Sequence, residues 1–253
     1  MRKTVPPRYL NLGGGFMWGL LLFACSDIGL YGVKEFKPKI VVHPQVIEFG
    51  HLISGDETDQ DRVTVLNAGN SDLYLDEFLF DDLDGRYTLI YDEKEVLEPD
   101  ELIDVYIEYA PETYEDNQAT LTIKSSDEDN SHIDVLINGH GDAPVLKVFP
   151  EDVDLGELFI GCDSDDQVTF MNLGNMDLII EDVTQLTSLP QEIYIDYGNL
   201  PVFPWTLIPG EFYTTTINYK PRDIGQDDSR LEITTNDPVR ATYEIRQYGE
   251  GVI

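Results

Sequence analysis

The chain repeats itself. Val42-His43-Pro44, Phe49-Gly50 and Gly55 recur as Val148-Phe149-Pro150, Leu155-Gly156 and Gly161. Val63-Thr64-Val65-Leu66-Asn67-Ala68-Gly69-Asn70-Ser71-Asp72-Leu73 recurs as Val168-Thr169-Phe170-Met171-Asn172-Leu173-Gly174-Asn175-Met176-Asp177-Leu178. Leu97-Glu98-Pro99 matches Leu207-Ile208-Pro209, Tyr109-Ala110-Pro111 matches Tyr219-Lys220-Pro221, Ser126-Asp127 matches Asn236-Asp237, and Gly139-His140-Gly141 matches Gly249-Glu250-Gly251. The offset is 106 at the opening motif, 105 at the Val-Thr motif and 110 from Pro99 onward. Such a period is too long for a solenoid unit and has the size of a domain. Five extra residues fall in the second copy between Asp177 and Pro209.

Each copy reads as strands. Ile103, Val105, Ile107 and Tyr109 alternate with more polar residues, and Tyr213, Thr215, Ile217 and Tyr219 follow the same period. Val63/Val65, Leu121/Ile123 and Ile133/Val135/Ile137 alternate likewise, as half-buried strands do. Gly, Asn, Asp and Pro clusters at 67–70, 81–85, 111–117 and 125–131 separate them. No stretch after the N-terminal segment keeps a helical apolar period for ten residues. The expected fold is all-β: two tandem antiparallel immunoglobulin-like sandwiches at 40–143 and 144–253, joined across 141–144. The Asn-x-Gly-Asn turns are expected to supply residues tolerant of positive φ.

A "Pro…(Val/Ile)-x-(Phe/Leu)-Gly" opening, a "Val-Thr-(Val/Phe)-x-Asn-x-Gly-Asn-x-Asp-Leu" strand pair, "Leu-x-Pro", "Tyr-x-Pro" and a closing "Gly-x-Gly" together resemble the ASH/hydin-type immunoglobulin-like domain. In bacterial surface proteins this domain is often labelled choice-of-anchor D. The resemblance covers nearly all of 40–253. It implies a structural, interaction-type module related in architecture to the major sperm protein fold, with no catalytic role of its own. Eukaryotic members resemble ciliary and centrosomal proteins. Bacterial lipoproteins with this tandem are often followed by a von Willebrand factor A domain, whose Asp-x-Ser-x-Ser metal motif has no counterpart here. The chain stops two residues after the second Gly-x-Gly. That leaves open a complete two-domain protein or the N-terminal part of a longer one.

Residues 1–24 carry Arg2, Lys3 and Arg8 and no acid, then an apolar run at 16–24 that ends at Ala24-Cys25-Ser26. A basic start, a short apolar stretch and a small residue before the cut describe a secretory signal. The run is about half the ~20 residues needed to span a bilayer. Leu22-Phe23-Ala24-Cys25 resembles the bacterial lipobox, in which the Cys is diacylated and becomes the new N-terminus; Ser26 resembles an outer-membrane sorting signal. Residues 25–39 read as a tether. Its Lys34, Lys37 and Lys39 are the only basic cluster of the processed chain.

The formal net charge is −33. Phosphate recognition needs a basic face, so nucleic acid is excluded as a partner. Direct adhesion to anionic lipid is disfavoured, leaving the membrane reachable through the lipid anchor alone. Residues 40–143 carry 27 acids and 4 bases, and residues 144–253 carry 20 and 6.

No nucleophile, base and orienter assemble in the sequence, and no catalytic residue is assigned. His43, His51, His132 and His140 show no His-Glu-x-x-His or comparable spacing and read as surface or structural. Cys162 sits among Asp163, Asp165 and Asp166 and reads as an idle thiol or the partner of a cysteine on another chain. Asp81, Asp82 and Asp84, and Asp127 and Asp129, are the weak candidates for Ca²⁺, since hard cations want clustered oxygens. None matches the 12-residue calcium loop, and solvated acidic loops are the expected state, without a cofactor.

The expected function is a non-catalytic binding or scaffolding lipoprotein of the bacterial cell envelope, on the outer membrane or cell surface, with a protein or envelope component as partner. Two alternatives stay open. One is an accessory segment of a larger surface adhesin or enzyme. The other is a eukaryotic ciliary or cytoplasmic structural protein, without lipid or cleavage. For the location, secretion behind an ordinary signal peptide, with Cys25 coincidental, also stays open.

Overall fold

The computed structural model describes residues 35–76, 78–186 and 192–253. Cys25 and the signal segment lie outside them. Of the unit Met1–Lys37, only residues 35–37 are described; Pro38–Ile253 forms the other unit.

In chain order the first domain contains β1 (Ile40–His43), β2 (Val46–Ile53), β3 (Asp59–Asn67), β4 (Leu73–Tyr74), β5 (Leu79–Asp82), β6 (Tyr87–Ile90), β7 (Val96–Leu97), β8 (Leu102–Tyr109), β9 (Glu115–Lys124) and β10 (His132–Asp142). One sheet runs β1-β3-β8-β6, the facing sheet β2-β10-β9-β5, and β4 pairs with β7. The second domain contains β11 (Leu146–Phe149), β12 (Asp152–Phe159), β13 (Ser164–Asn172), β14 (Leu178–Leu186), β15 (Ile193–Ile195), β16 (Trp205–Leu207), β17 (Phe212–Tyr219), β18 (Gly225–Thr235) and β19 (Thr242–Val252). Its sheets run β11-β13-β17-β15 and β12-β19-β18-β14-β16. A short 3₁₀ turn, Tyr197–Asn199, lies between β15 and β16.

Both halves are all-β sandwiches, as the alternation requires. One pair in each is parallel: β2 with β10 and β12 with β19. The cause is the opening motif. Around Pro44 and Pro150 the chain leaves one sheet for the other. β1 and β11 pair with the domain's third strand, β3 and β13, while β2 and β12 pair with its last. Alternate residues then fill one core per domain. Val63, Val65, Val105 and Ile107 are fully buried in the first, Val168, Phe170, Ile217 and Leu231 in the second.

Four repeated residues hold this frame. Asn67 is fully buried; its amide donates to the carbonyls of Ser71 (2.8 Å) and Leu97 (2.9 Å) and its Oδ1 accepts from Gly69 N (3.0 Å). Asn172 repeats this with Met176, Leu207 and Gly174. This corrects the expectation of positive φ at these turns: Asn67, Gly69, Asn172 and Gly174 all lack it. Short polar residues there serve a side-chain clasp. Positive φ falls one turn later, at Asp100 (65°) and its counterpart Gly210 (78°). Tyr109 and Tyr219 are fully buried, and the closing motif makes room for them. A Cβ on Gly139 or Gly249 would stand 2.5 or 2.6 Å from the ring.

The five extra residues divide. Tyr87 and Ile193 occupy the same register against Tyr109 and Tyr219 at an offset of 106, and Leu73/Leu97 and Leu178/Leu207 are matching pairs. Four of the five therefore lie between β15 and β16, around the 3₁₀ turn.

Candidate functional site

β2 and β10 run parallel with Asn138 beside Glu48, after which the register shifts so that His140 stands beside His51 and Asp142 beside Ile53. This bulge re-aims the last residues of both strands. Gly50, at φ 69°, lies in the shifted stretch. The imidazoles of His51 and His140 come to 4.6 Å between centroids. His51 Nδ1 lies 2.9 Å from Asp142 Oδ1, and His140 Nε2 lies 3.4 Å from the same oxygen. On its far side His140 Nδ1 meets Asp116 Oδ1 at 2.6 Å, and the Tyr114 ring packs edge-on at 5.3 Å. Among the described residues, His51, His140 and Asp142 form the one group of three whose potential ligand atoms all lie within 4.8 Å of one another. Side-chain exposure grades outward, from 19% at His140 and 24% at Asp142 to 67% at His51.

Asp142 is also where the domains join. Residues 143–145 connect β10 to β11. The Asn175 amide donates to Asp142 Oδ1 (2.6 Å), Asn175 Oδ1 accepts from Ala143 N (3.1 Å), and Asn175 N donates to Ala143 O (3.1 Å). A Cβ at Gly174 would collide with Ala143 O. Burial acts to raise the Asp142 carboxyl, but hydrogen bonds from His51 and Asn175, with the charge of both histidines, hold it below the usual carboxylate range.

The acidic candidates do not gather. Asp82 takes Gly85 N (3.0 Å) and Tyr87 N (2.8 Å), which closes its own turn. Asp84 accepts from Asn117 at 3.4 Å, and Asp81 is exposed. Asp127 is buried and saturated by backbone amides: Ile40 N at 3.0 Å, Asp129 N at 3.0 Å and Asn130 N at 3.4 Å. Asp237 does the same with Leu146, Val239 and Arg240. These two aspartates pin the first strand of each domain. Asp129 is exposed. Cys162 is exposed, beside a turn whose Asp163 pairs with Lys220. His43 and His132 are exposed and apart from the cluster. The histidines scattered in sequence are thus only half scattered in space. His51 and His140 are 89 positions apart and meet through a parallel pair that spacing alone does not reveal.

The second domain lacks this constellation. The corresponding parallel pair sets Glu157 beside Glu250, and Val252 stands in the place of Asp142. Those glutamates line an acidic groove with Asp154, Asp228 and Arg246. No helix among the described residues is long and apolar enough to cross a membrane.

No curated protein matches the chain. Among solved structures, a protein of unknown function from Porphyromonas gingivalis W83 is 16% identical, with 83% of this chain and 99% of that one covered and a TM-score of 0.35. The human CEP192 ASH/PapD-like domain 7 is 12% identical, with 44% and 87% covered and a TM-score of 0.34. The secreted serine protease VesC of Vibrio cholerae is 15% identical, with 81% of this chain covered and a TM-score of 0.33; this chain spans about half of it, 51%. The family model of the HYDIN/CFA65/VesB-like Ig-like domain matches residues 38–140 and again 144–250. With most of its length taken up by two copies, the chain belongs to the HYDIN/CFA65/VesB-like Ig-like domain family.

Proposed function

We propose that this chain is a non-catalytic binding and scaffolding protein of the bacterial cell envelope. In this reading two Ig-like modules are held from the membrane by a lipid on Cys25 and the segment 26–39. The supporting observation is the junction. The connection is three residues long; its Ala143 is clasped by both the side chain and the backbone of Asn175, its Val145 is held by Asn172 and Leu173, and Gly174 lets the two backbones approach. A joint so short has few free dihedrals, so it suits a protein that presents surfaces at a set spacing. Placement outside the cytoplasm is supported by the basic, then apolar N-terminus that ends at Ala24-Cys25-Ser26.

The test uses the full-length gene in a bacterial host. Wild type should incorporate labelled palmitate and sediment with membranes, and Cys25→Ala should be unlabelled and released or left unprocessed. Equal labelling of the two sinks the anchor. Spin labels placed on the two modules should give one narrow distance distribution that broadens in Asn175→Ala. A broad distribution already present in wild type sinks the spacer.

A further inference from the structure

We propose that His51, His140 and Asp142 bind one divalent transition-metal ion of the Zn²⁺ class at the C-terminal end of β10. The donor set decides the class. Two imidazoles and a carboxylate suit Zn²⁺, Ni²⁺ or Cu²⁺, whereas Ca²⁺ wants six or more oxygens. The spacing fits as well. Ligands at about 2.0–2.1 Å in a tetrahedron stand roughly 3.3 Å from one another. Here His51 Nδ1 and His140 Nε2 lie 2.9 and 3.4 Å from Asp142 Oδ1.

The groups behind the ligands are in place too. Metal-binding histidines usually give their other ring N–H to a carboxylate, which fixes the tautomer. Asp116 stands at His140 Nδ1 in that role, which leaves Nε2 to the metal. Asn175 orients the Asp142 carboxylate from the second domain. The donors sit on paired strands, so little ordering is needed on binding. The solvent side, where His51 is exposed, leaves room for a fourth ligand from water or a partner.

The set is not a by-product of the fold. The second domain keeps both glycines of Gly-x-Gly, Gly249 against the Tyr219 ring and Gly251 against the Asp223 carbonyl, yet carries Glu157, Glu250 and Val252 at the three positions. Two of the chain's four histidines converge on one carboxylate here. Because Asp142 ends the first domain and is held by Asn175, occupancy ties the metal to the joint.

The full chain, purified without a histidine tag, is titrated with ZnCl₂ by calorimetry and with CoCl₂ by visible absorption. Wild type should bind one equivalent saturably, give tetrahedral cobalt bands, and unfold at a higher temperature as free metal rises. His51→Ala, the exposed and structurally mildest change, should weaken binding by at least about tenfold and abolish the bands, and Asp116→Asn should weaken it about tenfold. A His43→Ala/His132→Ala variant should bind as wild type, and Ca²⁺ should not compete. No saturable zinc binding by wild type, or binding unaltered in His51→Ala and in His51→Ala/His140→Ala, overturns the proposal.

Discussion

The two domains share a frame and differ in what they bury beneath their tyrosines. In the first, Tyr109 OH donates to Asn117 Oδ1 (2.8 Å), and the neighbouring strand brings Arg86, paired with Glu112 (2.5 Å). In the second, Tyr219 OH donates to Asp227 Oδ2 (2.7 Å), and the residue in the place of Arg86 is Glu192. A neutral amide beside a cation has become two buried carboxyls. The facing sheet shows the same drift. Ala119 and Ile137 of the first core correspond to Ser229 and Gln247, which hydrogen-bond to Gln185 at 2.5 and 2.6 Å. The lesson is a division of labour among residues. Asn67/Asn172, Asp127/Asp237, Tyr109/Tyr219 and the paired glycines meet demands of the backbone and are repeated. The polar chemistry around them is free to diverge, even in the interior.

The comparison breaks most readily at the repeated asparagines. Asn67→Ala and Asn172→Ala should each destabilise the domain that carries the change by about 3 kcal/mol, because each strands two buried carbonyls and an amide. Urea unfolding read by Trp205 fluorescence for the second domain, and by hydrogen exchange of β9 for the first, would show it. A cost that falls on one domain alone would mean that the two clasps are not equivalent.

The carboxyls sharpen the contrast. Burial first, and then the Asp227 charge, push the Glu192 carboxyl above its ordinary 4.5. The folded second domain therefore favours the protonated acid. That stabilisation is complete below the ordinary value and is lost as pH rises through the higher folded one. Asp127 in the first domain runs the other way. Burial acts to raise it, but the amides of Ile40, Asp129 and Asn130 hold it below 3.8, so its contribution is present above that value and lost as pH falls. Glu192→Gln should thus stabilise the second domain at pH 7 by about 1 kcal/mol and flatten its decline above pH 4.5. An unchanged Trp205 transition across that range would remove the argument.

The smallest difference is surface charge. With 27 acids to 4 bases against 20 to 6, the first domain should gain more from added NaCl. The difference should be a few tenths of a kcal/mol, as the screening length falls from about 10 Å at 0.1 M to about 3 Å at 1 M. Equal gains in the two transitions would show that charge density, at this level, does not separate them.

Much of this was readable from residues. Strict alternation at Val63/Val65 and Ile103 to Tyr109 betrays strands, because a pleated sheet buries every second side chain. The repeated motifs betray two domains. Asn67 was legible as a position but not as a device, since a turn that needs positive φ and one that needs a side-chain clasp both select short polar residues. The histidine cluster left no local trace. It depends on a parallel pairing between the second strand and the last, and on a bulge that removes one residue from the register. The one available signal was comparative: His51 and His140 both replace a glutamate of the other copy.

The parallel closure of each sandwich has a consequence in time. Ile47 finds its partner in Ile137, 90 positions later, so the first domain cannot close until β10 exists, and β11 follows after three residues. Contacts at such separation form slowly, after the intervening chain has been ordered. A growing chain therefore reaches β19, built on the same plan as β10, as a rival partner for β2. Exchange of these strands would set His51 beside Glu250 and Glu157 beside His140, and would bring Gln247 to the position where Ile137 packs. Divergence between the copies at these positions makes the wrong pairing poorer than the right one, so the differences between the domains also guard the order in which they assemble.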